Sequence, residues 1–207
     1  MAQTQSFGDD PKFVLATSSR TRIEMLLAAG LSFIAQPADV DERSIAASHL
    51  INAGSVEATA RVLAREKSLA VGQAWPGRLV IGADQTLGCE GKTFNKPPNV
   101  EAAAAQIAQL AGKAHSLFSA VAVTKDGEVL FEHTGEARMH MASLSAEAID
   151  RYVSLVGSKA CASVGAYQLE GPGIQLFERI DGDHFTILGL PLLPLLGFLR
   201  STGLHLP

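Results

Sequence analysis

Short apolar runs alternate along this chain with amphipathic segments of helical spacing, and that alternation restricts the fold more than any other feature. Phe13-Val-Leu-Ala-Thr17 is the first such run, followed by Ser18 and Ser19, then by Ile23, Leu26 and Leu27 at helical spacing, with Gly30 as a stop. This reads as strand, capped turn and helix. A second amphipathic helix is predicted from about Ser55 to Gln73, with Val56, Ala60, Leu63, Ala64 and Val71 on one face and Arg61, Arg65 and Glu66 outside. Arg78-Leu-Val-Ile-Gly-Ala83 is a β-run ending at Asp84-Gln85, and Glu90-Gly91 marks a hairpin tip ahead of Asn95-Lys96-Pro97. Asn99 caps a helix through Ala111, stopped by Gly112, and Ser116 to Met141 alternates as a hairpin around Asp126-Gly127. Ser145 starts a further helix to about Leu155, and a terminal helix closes the chain. Strands alternating with helices, plus one antiparallel hairpin, predict an α/β fold with a mixed sheet.

With 207 residues, 47% hydrophobic and 18% charged, the chain has the composition of an ordinary globular protein, enough for one large core or two lobes sharing a cleft. A single domain over residues 11–207 is expected, with 1–10 as a frayed polar leader that carries no fold. Seventeen Lys and Arg against twenty-one Asp and Glu leave a net charge of −4, and no basic block is present. Such a surface argues against binding a nucleic-acid polymer, which requires a basic stripe, and leaves room for a small anion held by a few cations. Cys89 and Cys161 are far apart and lack metal-site spacing, so neither zinc nor a disulfide framework is suggested and a reducing cytoplasm fits. The leader has no basic stretch ahead of an apolar core, so it does not read as a signal peptide. Ile187 to Leu199, the most apolar run, is shorter than the about 20 residues of a membrane span and holds Pro191 and Pro194. It reads as a buried terminal segment.

Four places have residues suited to chemistry. Thr17-Ser-Ser-Arg-Thr-Arg22 lies at a strand-to-helix junction, where free backbone N–H groups and the helix dipole favour a phosphate; the ordinary alternative is a serine cap with solvated arginines. Asp84 follows an apolar strand, where open α/β sheets collect ligand groups; a carboxylate there suits a divalent metal or an oriented water, and a turn aspartate is the alternative. Lys96, ahead of Pro97-Pro98, adds a cation in a stiff extended segment. Asp41-Glu42, in a loop after the second predicted strand, offers acidic oxygens for a hard ion, with Lys67 on the helix that follows. Gly165-Ala-Tyr-Gln-Leu-Glu-Gly171 combines glycines, a ring and polar groups in a way that suits reading a base, although a turn with a core tyrosine has the same composition. His115 and His140 read as structural. No GxxxxGK[ST] loop, no GxGxxG after the first strand, and no HExxH or GxSxG occurs, which excludes P-loop, dinucleotide-fold, zincin and α/β-hydrolase readings.

In order, Leu15-Ala-Thr-Ser-Ser19 with Arg22, Val40-Asp-Glu42, Leu63-Ala-Arg-Glu-Lys67, Ile81-Gly-Ala-Asp-Gln85, Asn95-Lys-Pro97, Gly112-Lys-Ala-His115, Gly165-Ala-Tyr167 through Glu170-Gly171, and Gly189-Leu-Pro191 resemble the Maf family of nucleoside triphosphate pyrophosphatases. The resemblance spans nearly the whole chain. It implies a cytoplasmic, dimeric, Mg²⁺- or Mn²⁺-dependent enzyme that cleaves a nucleoside triphosphate to its monophosphate and pyrophosphate, with a mixed α/β fold and a deep cleft between two lobes. It carries the phosphate-binding turn onto Ser19 and Arg22, the essential carboxylate onto Asp84, the triphosphate-contacting lysines onto Lys67 and Lys96, and the acidic metal-side position onto Glu42. The family's Ser-Pro-Arg-Arg run departs here to Ser19-Arg20-Thr21-Arg22. Gln85 and Glu170 look like the branch acting on 7-methyl-GTP, while Thr21 replaces an aromatic residue common in that branch. A glutamate suits an N7-methylated guanine, since it accepts from N1–H and the exocyclic amine and offsets the ring's positive charge. Two other readings stay open: a dTTP/UTP or broad-specificity pyrophosphatase, and a non-catalytic nucleotide-binding regulator of cell division. Whether Asp84 acts as a general base or holds the metal also stays open.

Overall fold

The computed structural model describes residues 4–51 and 54–204. In chain order these residues form β1 (Gln5–Phe7), β2 (Phe13–Ala16), α1 (Arg20–Ala28), β3 (Phe33–Ala35), α2 (Glu42–Ile51), α3 (Val56–Gly72), β4 (Val80–Cys89) and β5 (Lys92–Phe94). They continue through α4 (Val100–Leu110), β6 (Ala114–Lys125), β7 (Glu128–Met141), α5 (Ala146–Val156), β8 (Phe177–Asp181), α6 (His184–Ile187) and α7 (Leu192–Ser201). The strands make one mixed eight-stranded sheet in the order β1-β3-β2-β4-β6-β7-β8, with β5 on β4. The expected mixed α/β architecture is therefore present. The polar leader differs from expectation: residues 5–7 pair antiparallel with β3, Gln5 opposite Ala35 and Phe7 opposite Phe33. Phe7 makes the difference, because its ring lies 5.3 Å from that of Phe33 and so joins the core edge. Residues 1–3 of that leader and the last three of the chain lie outside the described residues.

Contacts divide the described chain into two compact units. The first comprises residues up to Gln85, Ser119–Gly135 and those from His184 onward; the second comprises Thr86–Phe118 and Glu136–Asp183. In the first, β2 runs parallel to both β3 and β4, with Val14 opposite Val80 and Ala16 opposite Gly82. Because side chains alternate along a strand, β2 supplies two cores. Phe13 and Leu15 join Leu26, Phe33, Ile81, Ala83, Leu190, Leu195 and Leu199 on one face, while Val14 and Ala16 join Val71 and Val80 on the other. That explains why the run reads as continuously apolar: both faces are covered.

In the second unit, Asn99 and Ser145 cap α4 and α5 by accepting from Ala102 N and Ala148 N. The same unit holds the β4–β5 hairpin, where Leu87 faces Phe94, and β8, which pairs antiparallel with β7. In the first unit, the turn from β6 to β7 is the expected one, with Asp126 and Gly127 both at positive φ, 51° and 85°, as a type I′ turn demands.

Gly82 sets how closely α3 approaches the sheet. A Cβ at this position would lie 2.1 Å from the Ala64 carbonyl oxygen and 2.8 Å from Ser68 N, both helix backbone. Only a hydrogen fits. Gly82→Ala is therefore expected to lower unfolding free energy by about 3 kcal/mol, the upper range for overpacking, as read from urea titration. A loss below ~0.5 kcal/mol would mean that α3 moves away freely.

Candidate active site

The close approach at Gly82 has a chemical consequence. Asp84 is two residues further along β4 and so projects from the same face, toward α3. There Lys67 Nζ donates to Asp84 Oδ1 at 2.5 Å and pairs with Glu42 Oε1 at 2.9 Å. Lys67 and Asp84 are buried, whereas the Glu42 side chain is 52% exposed. Two details of the sequence reading change. Asp84 sits within β4 and not at its end, since the strand continues to Cys89. Asp84 is tolerated in mid-strand because Lys67 meets its carboxylate. Glu42 is not in a loop but opens α2, a helix the sequence pattern did not reveal; Asp41 Oδ1 caps it by accepting from Ser44 N at 3.0 Å.

Arg22 reaches the same neighbourhood from α1. Ser19 is the N-cap, its hydroxyl accepting from Arg22 N at 3.4 Å. On the helix that follows, Arg20 faces solvent and pairs with Glu24 four residues on, while Arg22 shares the inward face with Met25 and Leu26. Arg22 Nε donates to the Gly189 carbonyl at 2.7 Å and Nη1 to the Ala83 carbonyl at 2.9 Å. Thr21 is half-buried beside it. Gly189 opens the Gly189-Leu-Pro191 motif. Its φ of +99° suits glycine, and a Cβ there would stand 3.3 Å from Arg22 Nη2.

Burial works against the Arg22 charge, and the carboxylates of Asp84 and Glu42 offset part of that. Guanidinium remains protonated under any working condition. Burial likewise pushes the Asp84 carboxyl above the ordinary aspartate range; Lys67 and Arg22 hold it back, and Glu42 adds to the rise. A carboxylate poised above its usual value is a better proton acceptor at neutral pH than a solvated one. Among the described residues no group of three or more His, Cys, Asp or Glu side chains could hold a metal ion. Glu42 and Asp84, which meet on one ammonium, nonetheless form a donor pair that suits a hard divalent ion whose remaining ligands are phosphate oxygens and water.

Gln85 is half-buried on the opposite face of β4, and its amide nitrogen donates to Ser119 Oγ and to the carbonyls of Thr186 and Ile187. Lys96 and Glu170 belong to the second unit. Lys96 is exposed in the extended segment after β5, lining a recess with Lys92, Asn95 and Gln106. Glu170 is exposed in a turn where Gly171 N donates to the Gln168 carbonyl at 3.2 Å. The ring of Tyr167 in that segment does not face outward. It is 5% exposed, its hydroxyl lies 2.7 Å from His115 Nε2, and it packs edge-on against Phe177 at 4.7 Å. The tyrosine belongs to the core, and Glu170 is left as the group that the segment presents to solvent.

His115 is buried and neutral, its pKa lowered from 6.5 to about 4, chiefly by desolvation and further by His140. The unfolded chain therefore takes up this proton first. Stability is expected to fall as pH drops through 6.5 toward about 4 and then to level off, by about 3 kcal/mol in all. His115→Gln, which keeps a nitrogen for the Tyr167 hydroxyl, should flatten that window in a pH series of denaturant titrations. An unchanged slope would show that other groups are responsible.

A family model described as Maf-like protein matches residues 12–202. The chain belongs to the Maf family. Among curated proteins, this Maf chain is 52% identical over 196 residues to a nucleoside triphosphate pyrophosphatase of Nitrobacter hamburgensis, covering 94% of this chain and 96% of the relative. It is 54% identical over 192 residues to a protein of the same name from Rhodopseudomonas palustris, covering 92% and 94%. It is also 50% identical over 192 residues to a 7-methyl-GTP pyrophosphatase of Mesorhizobium japonicum, covering 93% and 96%. Among the described residues of the Maf chain, no helix is long and apolar enough to cross a membrane.

Proposed function

We propose that this Maf protein hydrolyses a nucleoside triphosphate to the monophosphate and pyrophosphate, clearing modified nucleotides such as 7-methyl-GTP from the cytoplasmic pool as a homodimer. The observation that carries this reading is the buried Asp84 carboxylate, paired with Lys67 at 2.5 Å and favoured in its charged form by the nearby positive charge of Arg22. Hydrolysis at the α-phosphorus requires that the triphosphate be held, that a water be aligned opposite the leaving pyrophosphate, and that its proton be accepted. Arg22 and Lys67 supply fixed positive charge for the phosphates, and the family resemblance adds Lys96 as a further contact. Asp84 orients the water and takes its proton, helped by a carboxyl that burial has made more basic. Glu42 and Asp84 would hold Mg²⁺ or Mn²⁺, and the ion would supply charge neutralisation of the phosphate oxygens. Glu170 reads the base, where its negative charge complements a methylated guanine.

The test is a panel of canonical and modified nucleoside triphosphates, incubated with Mg²⁺ and assayed for pyrophosphate. Turnover is expected, highest on 7-methyl-GTP; binding without turnover on every member would support the regulator and overturn the enzyme reading. Glu170→Gln is expected to cut kcat/KM on 7-methyl-GTP by about tenfold, roughly one charge-assisted hydrogen bond, with UTP little changed. Equal losses on both would remove Glu170 from base recognition.

A further inference from the structure

Gln85 follows the buried carboxylate in β4, yet its side chain turns its donors inward. Nε2 lies 3.0 Å from Ser119 Oγ, 3.2 Å from the Thr186 carbonyl and 2.9 Å from the Ile187 carbonyl. An amide nitrogen has two hydrogens, so three inward acceptors leave neither for a nucleobase. Ser119 Oγ donates to the same Thr186 carbonyl at 2.7 Å, and Gly189 N donates to it at 3.1 Å. Thr186 is also seated tightly on Gly135, where a Cβ would come within 2.7 Å of the threonine hydroxyl. The end of α6 is thus held from β4, from β6 and from β7.

That segment leads directly into Gly189, whose carbonyl receives Arg22 Nε at 2.7 Å, while Nη1 of the same guanidinium binds the Ala83 carbonyl at 2.9 Å. The contacts close a circuit. It leaves β4 at Ala83, passes through Arg22 and Gly189 to Thr186 and Ile187, and returns to β4 at Gln85, with Asp84 between the two ends. A shift at the end of α6 would move one of the two carbonyls that fix Arg22 and leave the other in place, tilting the guanidinium.

We propose that Gln85, backed by Ser119, is a positioning residue: it fixes the α6 end so that the Gly189 carbonyl aims Arg22, and it acts on the grip of the phosphates, not on the base. What Arg22 grips rests on the pyrophosphatase reading above. Gln85→Glu keeps the size but sets a carboxylate without hydrogens against carbonyl oxygens, and Ser119→Ala removes one donor from the same carbonyl. Each is compared with the wild-type protein in kcat/KM on 7-methyl-GTP and on UTP, in thermal melting, and in calorimetric binding of inorganic tripolyphosphate, a probe that has no base.

For Gln85→Glu, tripolyphosphate affinity is expected to fall by about tenfold or more, the scale of a charge-assisted hydrogen bond, with kcat/KM reduced by one common factor on both nucleotides. Ser119→Ala is expected to show the same pattern more weakly, and decides by the same criteria if the glutamate variant fails to fold. Unchanged tripolyphosphate binding, or a loss confined to one nucleotide, overturns the positioning role. Wild-type protein that turns over no nucleotide overturns the pyrophosphatase reading instead, and the tripolyphosphate titrations still decide the circuit.

Discussion

Asp84→Asn is expected to lower kcat by about 10² or more, the usual contribution of a general base, while nucleotide binding is largely kept. Asparagine preserves size and one hydrogen-bonding oxygen for Lys67, so a loss of turnover reports on the missing basicity and charge. The wild-type pH profile supplies a second readout. Because burial lifts the Asp84 carboxyl above its ordinary value of 3.8, its base form is lost as pH falls through a pKa higher than that of a solvated aspartate. Activity should decline along this acid limb, and the limb should be absent from the residual activity of the asparagine variant. Near-normal turnover in Asp84→Asn would remove the residue from the chemistry.

The second large effect concerns Lys67. Its ammonium neutralises Asp84, whose side chain is 10% exposed, and also meets Glu42. Lys67→Met fills the space but strands a buried carboxylate. A stability loss of about 3 kcal/mol is expected at neutral pH, the scale of breaking a buried pair from one side. The deficit should shrink as pH falls, since protonating Asp84 removes the stranded charge. Adding Asp84→Asn to Lys67→Met should restore much of the loss, so the two substitutions should be strongly non-additive in denaturant titrations. Additive losses would show that the pair is not coupled. Activity should be lost in Lys67→Met alone, with the phosphates deprived of a fixed cation.

The apolar run at Phe13 and the caps at Ser19 and Asn99 are readable because periodicity and capping are local effects, and both caps accept from the backbone as expected; Ser55 and Ser145, where two further helices are expected to start, also cap them. The Asp126-Gly127 turn was readable for the same reason. β1 was not, because three mostly polar residues owe their strand to Phe7 meeting Phe33 across the chain. α2 is not legible because Glu42-Arg-Ser-Ile-Ala-Ala-Ser-His lacks a strong apolar stripe. From sequence alone Asp84 ends a strand, because a charged residue in mid-sheet is costly until its partner is known, and Lys67 lies seventeen residues back in the chain.

Within the candidate site, the residue types and the roles expected of them come from the family motifs, but the contacts that hold each side chain in place do not. Nothing local distinguishes Arg20 from Arg22; only the helix phase turns one to solvent and the other inward. The inward commitment of the Gln85 amide depends on carbonyls a hundred residues away, and no periodicity encodes that. Tyr167 illustrates the converse: its segment has the composition of a base reader and equally that of a turn with a core tyrosine, and the second holds, since its hydroxyl meets His115 in the core.

The central claim is that this site directs water to the α-phosphorus. It is tested most directly by hydrolysing 7-methyl-GTP with the wild-type protein and Mg²⁺ in ¹⁸O-labelled water, and then weighing the products. One pyrophosphate per nucleoside monophosphate, with the label in the monophosphate, is the expected result. Release of orthophosphate and a nucleoside diphosphate, or label in the pyrophosphate, would contradict it.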